Sequence, residues 1–329
     1  MKNFAIIGFG GLGKTHFLNL LKIEEKRGDI RFTAICNADI ESITKNITIN
    51  LGDVNVDNID FSRFNLYTDY KEMIEKENLD FVFIALPSHL HSEVGVYCLN
   101  HGIDVYTEKP MAITYEQCEA LIDAAKANNK KLMVGQALRF CNEYKFLKKA
   151  IEENTYGKPI KAEFVRKSFL PKWSYENWLL NEDKSGGCIV DMHVHDVDIM
   201  IWLFGKPDEI HSLSTHNMAT FESVYGIYKY PDVSVMILTD WGIHSKYKFR
   251  ATYNVTFENA YVECINGKVT VYTDDEEKEI EFEPHDCYYE EAEEFIAAVV
   301  DGVPMKTATI DSVYETMKVV FEEKKAAKK

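Results

Sequence analysis

The chain has 329 residues, with 37 Lys and Arg against 53 Asp and Glu, a formal net charge of −16. That field repels phosphate backbones and anionic lipid, so neither nucleic acid nor a membrane surface is an expected partner. Hydrophobic residues make up 46% of the chain, enough for packed cores, which excludes wholesale disorder, and the length predicts two domains.

Asn3 to Gly8 reads as a buried strand, an apolar run halted by glycine. Behind a single Lys it does not read as a secretory signal, and the expected location is the cytoplasm. A helix from about Gly13 to Lys26 follows, with Phe17, Leu18 and Leu21 at helical spacing, then a strand from Arg31 to Asn37. Ala38 to Asn65 is rich in Asn and Asp and reads as helix, then irregular strand. Thr68-Asp69 caps a helix over Tyr70 to Glu77. Asp80 to Leu86 is a near-continuous apolar strand, as in a sheet covered on both faces. Such runs are far short of the ~20 residues a membrane span needs. The alternation continues with helix Glu93 to Asn100, strand Asp104 to Tyr106, helix Tyr115 to Asn128 capped by Thr114, and strand Lys131 to Gly135. Residues 1–135 therefore predict an α/β domain with a parallel, doubly wound sheet.

From residue 136 the pattern changes. Helix Asn142 to Glu153 precedes a succession of strands: Ile160–Ser168, Ile210–Asn217, Phe221–Tyr230, Val233–Trp241, Lys248–Thr256, Ala260–Ile265, Lys268–Tyr272 and Glu279–Phe282. Several alternate apolar with polar residues, as Val233, Val235 and Ile237 do. That predicts an α+β second domain, 136–329, with a large, mostly antiparallel open sheet. One helix from Gly187 to Leu203 interrupts the strands, and helices Tyr288–Asp301 and Ile310–Lys325 close the chain. The basic tail Glu322 to Lys329 reads as a helix end, where cations are favoured. The seven cysteines are odd in number and never spaced as CxxC, so reduced thiols are expected and no zinc site.

Gly8-Phe9-Gly10-Gly11-Leu12-Gly13 fits G-x-G-x-x-G between a strand and a helix. Gly8 allows the tight turn, Gly10 lets backbone approach a pyrophosphate, and Gly13 lets helix and strand pack closely. The helix start then presents amides to the anion, so dinucleotide binding is expected. The P-loop spacing G-x-x-x-x-G-K-[ST] also holds from Gly8 to Thr15, but a Walker loop would need a longer cradle and a later Asp to hold magnesium, and the Glu108-Lys109-Pro110 segment favours a dinucleotide. At the end of the second strand an acidic residue would bind the adenosine ribose of NAD. Asn37 stands there, yet no cation follows directly and Asp39 would repel a 2′-phosphate. NAD is favoured over NADP.

Two more segments carry chemistry. Glu108-Lys109-Pro110 sits at a strand's C-terminal end, where ligands meet open α/β sheets. In Gly186-Gly187-Cys188-Ile189-Val190-Asp191-Met192-His193-Val194-His195-Asp196-Val197-Asp198, the residues Asp191, His195 and Asp198 share one face of a continuous helix. Together with Ala85-Leu86-Pro87-Ser88, His91, Gln136 to Phe140 and Glu290 to Phe295, these segments resemble the Gfo/Idh/MocA family (glucose–fructose oxidoreductase, inositol dehydrogenase, MocA) over nearly the whole chain.

The resemblance implies a Rossmann domain, a nicotinamide cofactor, a sugar, inositol or related polyol as substrate, and a homo-oligomer, dimer or tetramer, formed through the large sheet. It implies that Lys109 polarises the reacting oxygen, that His195 is the acid/base, and that Asp191 binds substrate or holds the proton network. Glu108 would place Lys109 and the cofactor, while Leu86, Pro87, Ser88 and His91 would line the cofactor cleft. His193, where many members have Gly, either contacts substrate or packs. Arg166 either faces the substrate pocket or lies at the surface, and Trp173 either stacks on a sugar or packs in the core. His193-Val194-His195 lacks a further cluster with ligand spacing, so no metal is expected. A non-carbohydrate substrate of dihydrodiol type, or a non-catalytic dinucleotide or sugar sensor, are the alternatives; retention of Lys109, Asp191 and His195 together argues against the sensor.

Overall fold

Phe4-Ala5-Ile6-Ile7 and Phe81-Val82-Phe83-Ile84 are apolar on both sides, so each is buried only in a sheet with layers on both faces. In the computed structural model, which describes residues 1–49 and 52–327, they lie side by side, Phe4 opposite Phe81 and Ile7 opposite Ile84. They belong to a six-stranded, all-parallel sheet of order β5-β2-β1-β6-β7-β8. Its elements in chain order are β1 (Lys2–Ile7), α1 (Gly11–Arg27), β2 (Ile30–Cys36), a small hairpin of β3 (Ile47–Ile49) and β4 (Gly52–Val54), β5 (Asn65–Tyr67), α2 (Tyr70–Lys76), β6 (Phe81–Ile84), α3 (His91–Asn100), β7 (Asp104–Glu108), α4 (Tyr115–Ala127) and β8 (Leu132–Gly135). Asp69 caps α2 and Thr114 caps α4 through their side chains. The helix expected after Ala38 is only a three-residue 3-10 turn, Ile40–Ser42; the Asn- and Asp-rich composition favours side-chain-to-backbone turns over a helix interior.

The second sheet has eight strands in the order β10-β11-β12-β9-β13-β14-β15-β16, antiparallel except for the β12–β9 pair. Its elements are α5 (Asn142–Glu152), β9 (Pro159–Phe169), α6 (Glu182–Ser185), α7 (Cys188–Asp191), α8 (Val194–Phe204), β10 (Glu209–Thr215), β11 (Ser223–Lys229), β12 (Ser234–Ile243), β13 (Arg250–Phe257), β14 (Tyr261–Ile265), β15 (Lys268–Tyr272) and β16 (Glu277–Ile280). One sheet face is packed. The other leaves apolar side chains in the open on adjacent strands: Leu213 (73% exposed) pairs across to Tyr225, and Ile227 (58% exposed) to Met236.

Helices α9 (Cys287–Val300) and α10 (Ile310–Ala327) close the chain. The molecule divides into two compact units. The first is Met1–Gln136 with Tyr288–Ile310, and the second is Ala137–Cys287 with the segment from Asp311 on. Residues 288–310, which the sequence pattern placed in the second domain, thus group with the first. The reason is apolar: Phe295 meets the rings of Phe81, Phe83 and Tyr106 edge-on and covers the parallel sheet. Lys328 and Lys329 of the basic tail lie outside the described residues. All seven cysteines are free thiols, six of them buried. Among the described residues no helix is long and apolar enough to cross a membrane.

Inside the second unit, Arg139 and Asp198 form a two-pronged ion pair with both contacts at 2.7 Å, and Thr316 also donates to Asp198 at 2.9 Å. Neither partner meets solvent. Asp198→Ala should therefore strand a buried guanidinium and cost ~3–5 kcal/mol, read as a fall in the denaturant midpoint; an unchanged midpoint would contradict this account.

Candidate active site

The glycine loop divides its work as the spacing predicts. Gly8 adopts φ +93°, and a Cβ there would stand 2.4 Å from the Ala85 carbonyl oxygen. A Cβ on Gly13 would stand 2.2 Å from the Gly8 carbonyl oxygen, so only glycine lets α1 lie this close to the strand exits. A Cβ on Gly10 would meet no atom within 4 Å. Gly10 caps α1 without a side-chain hydrogen bond to the helix start, and Gly11 and Leu12 are half-buried behind it. Open space before a helix start with no side-chain cap fits a pyrophosphate. Phe9 contributes backbone only, since its ring is buried against Phe17 and Phe61.

Asn37 is not a free ribose reader. Its Oδ1 accepts from the Phe9 amide at 3.0 Å, and its Nδ2 donates to the Asp39 carbonyl at 2.8 Å and to Ser42 Oγ at 3.1 Å. It braces the glycine loop against the turn after β2, a role for an amide that a carboxylate lacks donors to fill. The P-loop spacing fails for a similar reason. The Lys14 ammonium is buried, donates to the Ser42 carbonyl at 2.7 Å and also to the Lys45 carbonyl, and so is turned away from a phosphate on the loop. Burial, and then Lys45, hold its pKa below the usual lysine value.

Two further strand exits carry predicted residues. Leu86 and Pro87 are half-buried after β6, and Ser88 is buried. His91 is buried as well, with Nδ1 2.8 Å from the Pro110 carbonyl oxygen and Nε2 2.8 Å from that of Leu86; it packs behind the exit rather than lining it. Glu108 ends β7. Its Oε2 accepts from the Lys109 amide at 3.1 Å, and its Oε1 lies 2.5 Å from Nε2 of His16. Lys109 itself is half-buried, next to a cis bond to Pro110. Beside this pair Tyr106 donates to Glu291 at 2.7 Å, and burial, reinforced by Glu291, pushes the Tyr106 phenol well up. One donor atom each from His16, Glu108 and Glu291 lies within 4.8 Å of the others.

The second unit holds the remaining predicted residues. The helix expected over Gly187–Leu203 is broken at Met192-His193, where the His193 amide reaches back five residues to the Cys188 carbonyl at 2.9 Å. Asp191 ends α7 and His195 lies in the first turn of α8. From Ser185 to Ile201 every residue is buried except these two, which are half-buried. Asp198, expected on their face, points into the core at Arg139. His193, expected to contact substrate or to pack, packs: it is fully buried, with Nδ1 2.8 Å from Thr239 Oγ1 and Nε2 3.0 Å from the Tyr228 hydroxyl. Arg166 is likewise neither surface nor substrate-facing. Its guanidinium is buried and forks onto Asp196 with two contacts at 2.9 Å. Trp173 is 41% exposed, its ring edge-on to Phe169 at 4.9 Å, so it does not pack in the core.

Residues 2–136 match the model described as the oxidoreductase family, NAD-binding Rossmann fold, and residues 144–263 match the GFO/IDH/MocA C-terminal domain. The chain belongs to the Gfo/Idh/MocA family. The myo-inositol 2-dehydrogenase of Thermotoga maritima is 28% identical over 211 residues, 62% of this chain and 55% of that protein. The 2,7-anhydro-N-acetylneuraminate hydratase of Escherichia coli is 25% identical over 219 residues, 67% and 54% of the two. The chain spans about half the length of the curated relatives it matches. Among solved structures, a myo-inositol 2-dehydrogenase from Lactobacillus plantarum shares the fold at TM-score 0.78 and 23% identity, covering 99% of this chain and 97% of that one. An oxidoreductase from Agrobacterium radiobacter in complex with NAD+, L-tartaric acid and magnesium does so at TM-score 0.82 and 14% identity, covering 99% and 96%.

Sequence reasoning missed His16, and it met Glu291 and Lys14 only as members of longer motifs, without their roles. His16 had a signal: it follows Gly13 by three residues, hence on the same helix face as the glycine that packs against the sheet. The loop geometry makes a paired prediction. Gly10→Val should leave the melting temperature nearly unchanged and weaken NAD+ binding about tenfold or more by calorimetry, ~1.4 kcal/mol. Gly13→Ala should instead destabilise the fold by ~1–3 kcal/mol through its backbone clash.

Proposed function

We propose that this protein is an NAD-dependent oxidoreductase acting on a secondary alcohol or carbonyl of a sugar, inositol or related polyol. The observation that carries the reading is the burial pattern: in the run from Ser185 to Ile201 every residue is buried except Asp191 and His195, which are half-buried. The nicotinamide supplies the hydride acceptor or donor. The chain's own groups handle the oxygen. The Lys109 ammonium stabilises developing alkoxide charge, with Glu108 holding its backbone amide. His195 takes the hydroxyl proton, as an imidazole nitrogen can, and Asp191 orients it or the substrate. Trp173 offers an apolar ring for a sugar face. The pyrophosphate rests on the Gly8–Gly13 loop and the start of α1. NAD is the favoured nucleotide: the buried Lys14 is held by carbonyls, and Asp39 stands exposed on the ribose turn. The named myo-inositol dehydrogenases among its relatives support the polyol class.

NADH fluorescence on mixing the protein with NAD+ and a panel of inositols, aldoses and their acids tests this. Lys109→Met and His195→Asn should each lower turnover of the accepted substrate by ~10²–10⁴-fold while NAD+ affinity stays within about twofold. NAD+ binding with no turnover across the panel would favour a sensor.

We also propose a homo-oligomer, with the open face of the second sheet against a second copy. The exposed Leu213, Tyr225, Ile227 and Met236 support it, since contiguous exposed apolar rows mark interfaces. Ile227→Asp should shift the mass by light scattering to that of the monomer; a wild-type monomer would refute the proposal.

A further inference from the structure

Both ring nitrogens of His91 face carbonyl oxygens at 2.8 Å, Pro110 on one side and Leu86 on the other. A carbonyl only accepts, so each contact is a hydrogen bond only where the nitrogen carries hydrogen. Neutral imidazole has one such hydrogen and imidazolium has two. The ring is 1% exposed, which leaves no room for solvent to take either place. The two carbonyls belong to different strand exits: Leu86 follows β6, and Pro110 follows Glu108-Lys109 at the end of β7.

We propose that His91 is a positioning residue that, when doubly protonated, straps the exits of β6 and β7 together and so shapes the berth for the nicotinamide half of NAD. This rests on the reading of Leu86–Ser88 and Glu108–Lys109 as cofactor-lining. Burial pulls the pKa of the ring below its ordinary value; the Pro110 and Leu86 carbonyls and Glu108 push it up, and Lys109 pushes it down. Glu108 and Lys109 are the charged groups that face it. The net direction is downward, so at neutral pH the free protein keeps one proton on the ring and one of the two bonds. As pH falls through the titration, the second proton arrives and the second carbonyl is tied. NAD+ binding that needs both exits held therefore takes up a proton, and affinity rises toward acid pH.

Calorimetry of NAD+ with the full chain from about pH 5 to about pH 8, in buffers of different ionisation enthalpy, reads this directly. We expect affinity about three- to tenfold higher at the acid end, with proton uptake on binding. His91→Phe should bind weakly with no such pH dependence. In 15N spectra of the NAD+-bound wild type at the acid end, both His91 ring nitrogens should be of the N–H type. A bare ring nitrogen there, or wild-type pH dependence in His91→Phe, overturns the proposal. If His91→Phe does not fold, the 15N spectra of the wild type and the affinity profile of His91→Gln decide. Gly10→Val separates the two readings. If it keeps full NAD+ affinity, the cofactor placement is at fault. If it loses affinity while His91 shows a bare nitrogen, the strap alone is wrong.

Discussion

The contact between His16 and Glu108 organises the first unit. A carboxylate this buried is costly unless its oxygens are answered, and both are: one by the imidazole from α1, the other by the amide of Lys109. The pair therefore joins the glycine helix to the end of β7 and sets the backbone from which the lysine departs. It exists only because α1 lies unusually close to the sheet, and that closeness depends on Gly13 standing over the Gly8 carbonyl. Glycine spacing, helix placement and the lysine's position are thus one constraint.

The second unit solves a different problem. Its helical segment must enter the core and still offer polar groups at the surface. The break at Met192-His193 does this by rotating α8 relative to α7, so that His193 turns inward to Thr239 and Tyr228 while Asp191 and His195 stay half-open. The buried ion pairs Arg139–Asp198 and Arg166–Asp196 anchor the same segment from other elements. Such pairs are demanding in geometry, which suits a segment whose two half-buried polar residues need fixed directions.

Much of this was legible from residue order. The alternation of apolar runs and capped helices gave the parallel sheet, and the glycine spacing gave the loop. The alternating strands gave the open sheet. What stayed hidden has a common cause: a side chain's fate depends on elements far away in sequence. Asn37 resembled a ribose ligand because nothing local reveals that Phe9 offers it an amide. Arg166 and His193 resembled site residues because their partners come from other elements. A helical wheel places Asp191 beside His195 and Asp198 only if the helix is continuous, and a single wide turn at Met192-His193 removes that premise. The return of residues 288–310 to the first unit was equally invisible, since periodicity marks a helix but not the sheet it covers.

That return has a consequence for biosynthesis. The parallel sheet cannot receive its cover of Phe295, or the carboxylate that Tyr106 meets, until some three hundred residues have left the ribosome. Until then the nascent chain carries an aromatic sheet face with no lid, while residues 137–287 of the other unit are being made. The order in which the polypeptide emerges thus differs from the order in which its halves can be finished, and the interval is a window for chaperone engagement.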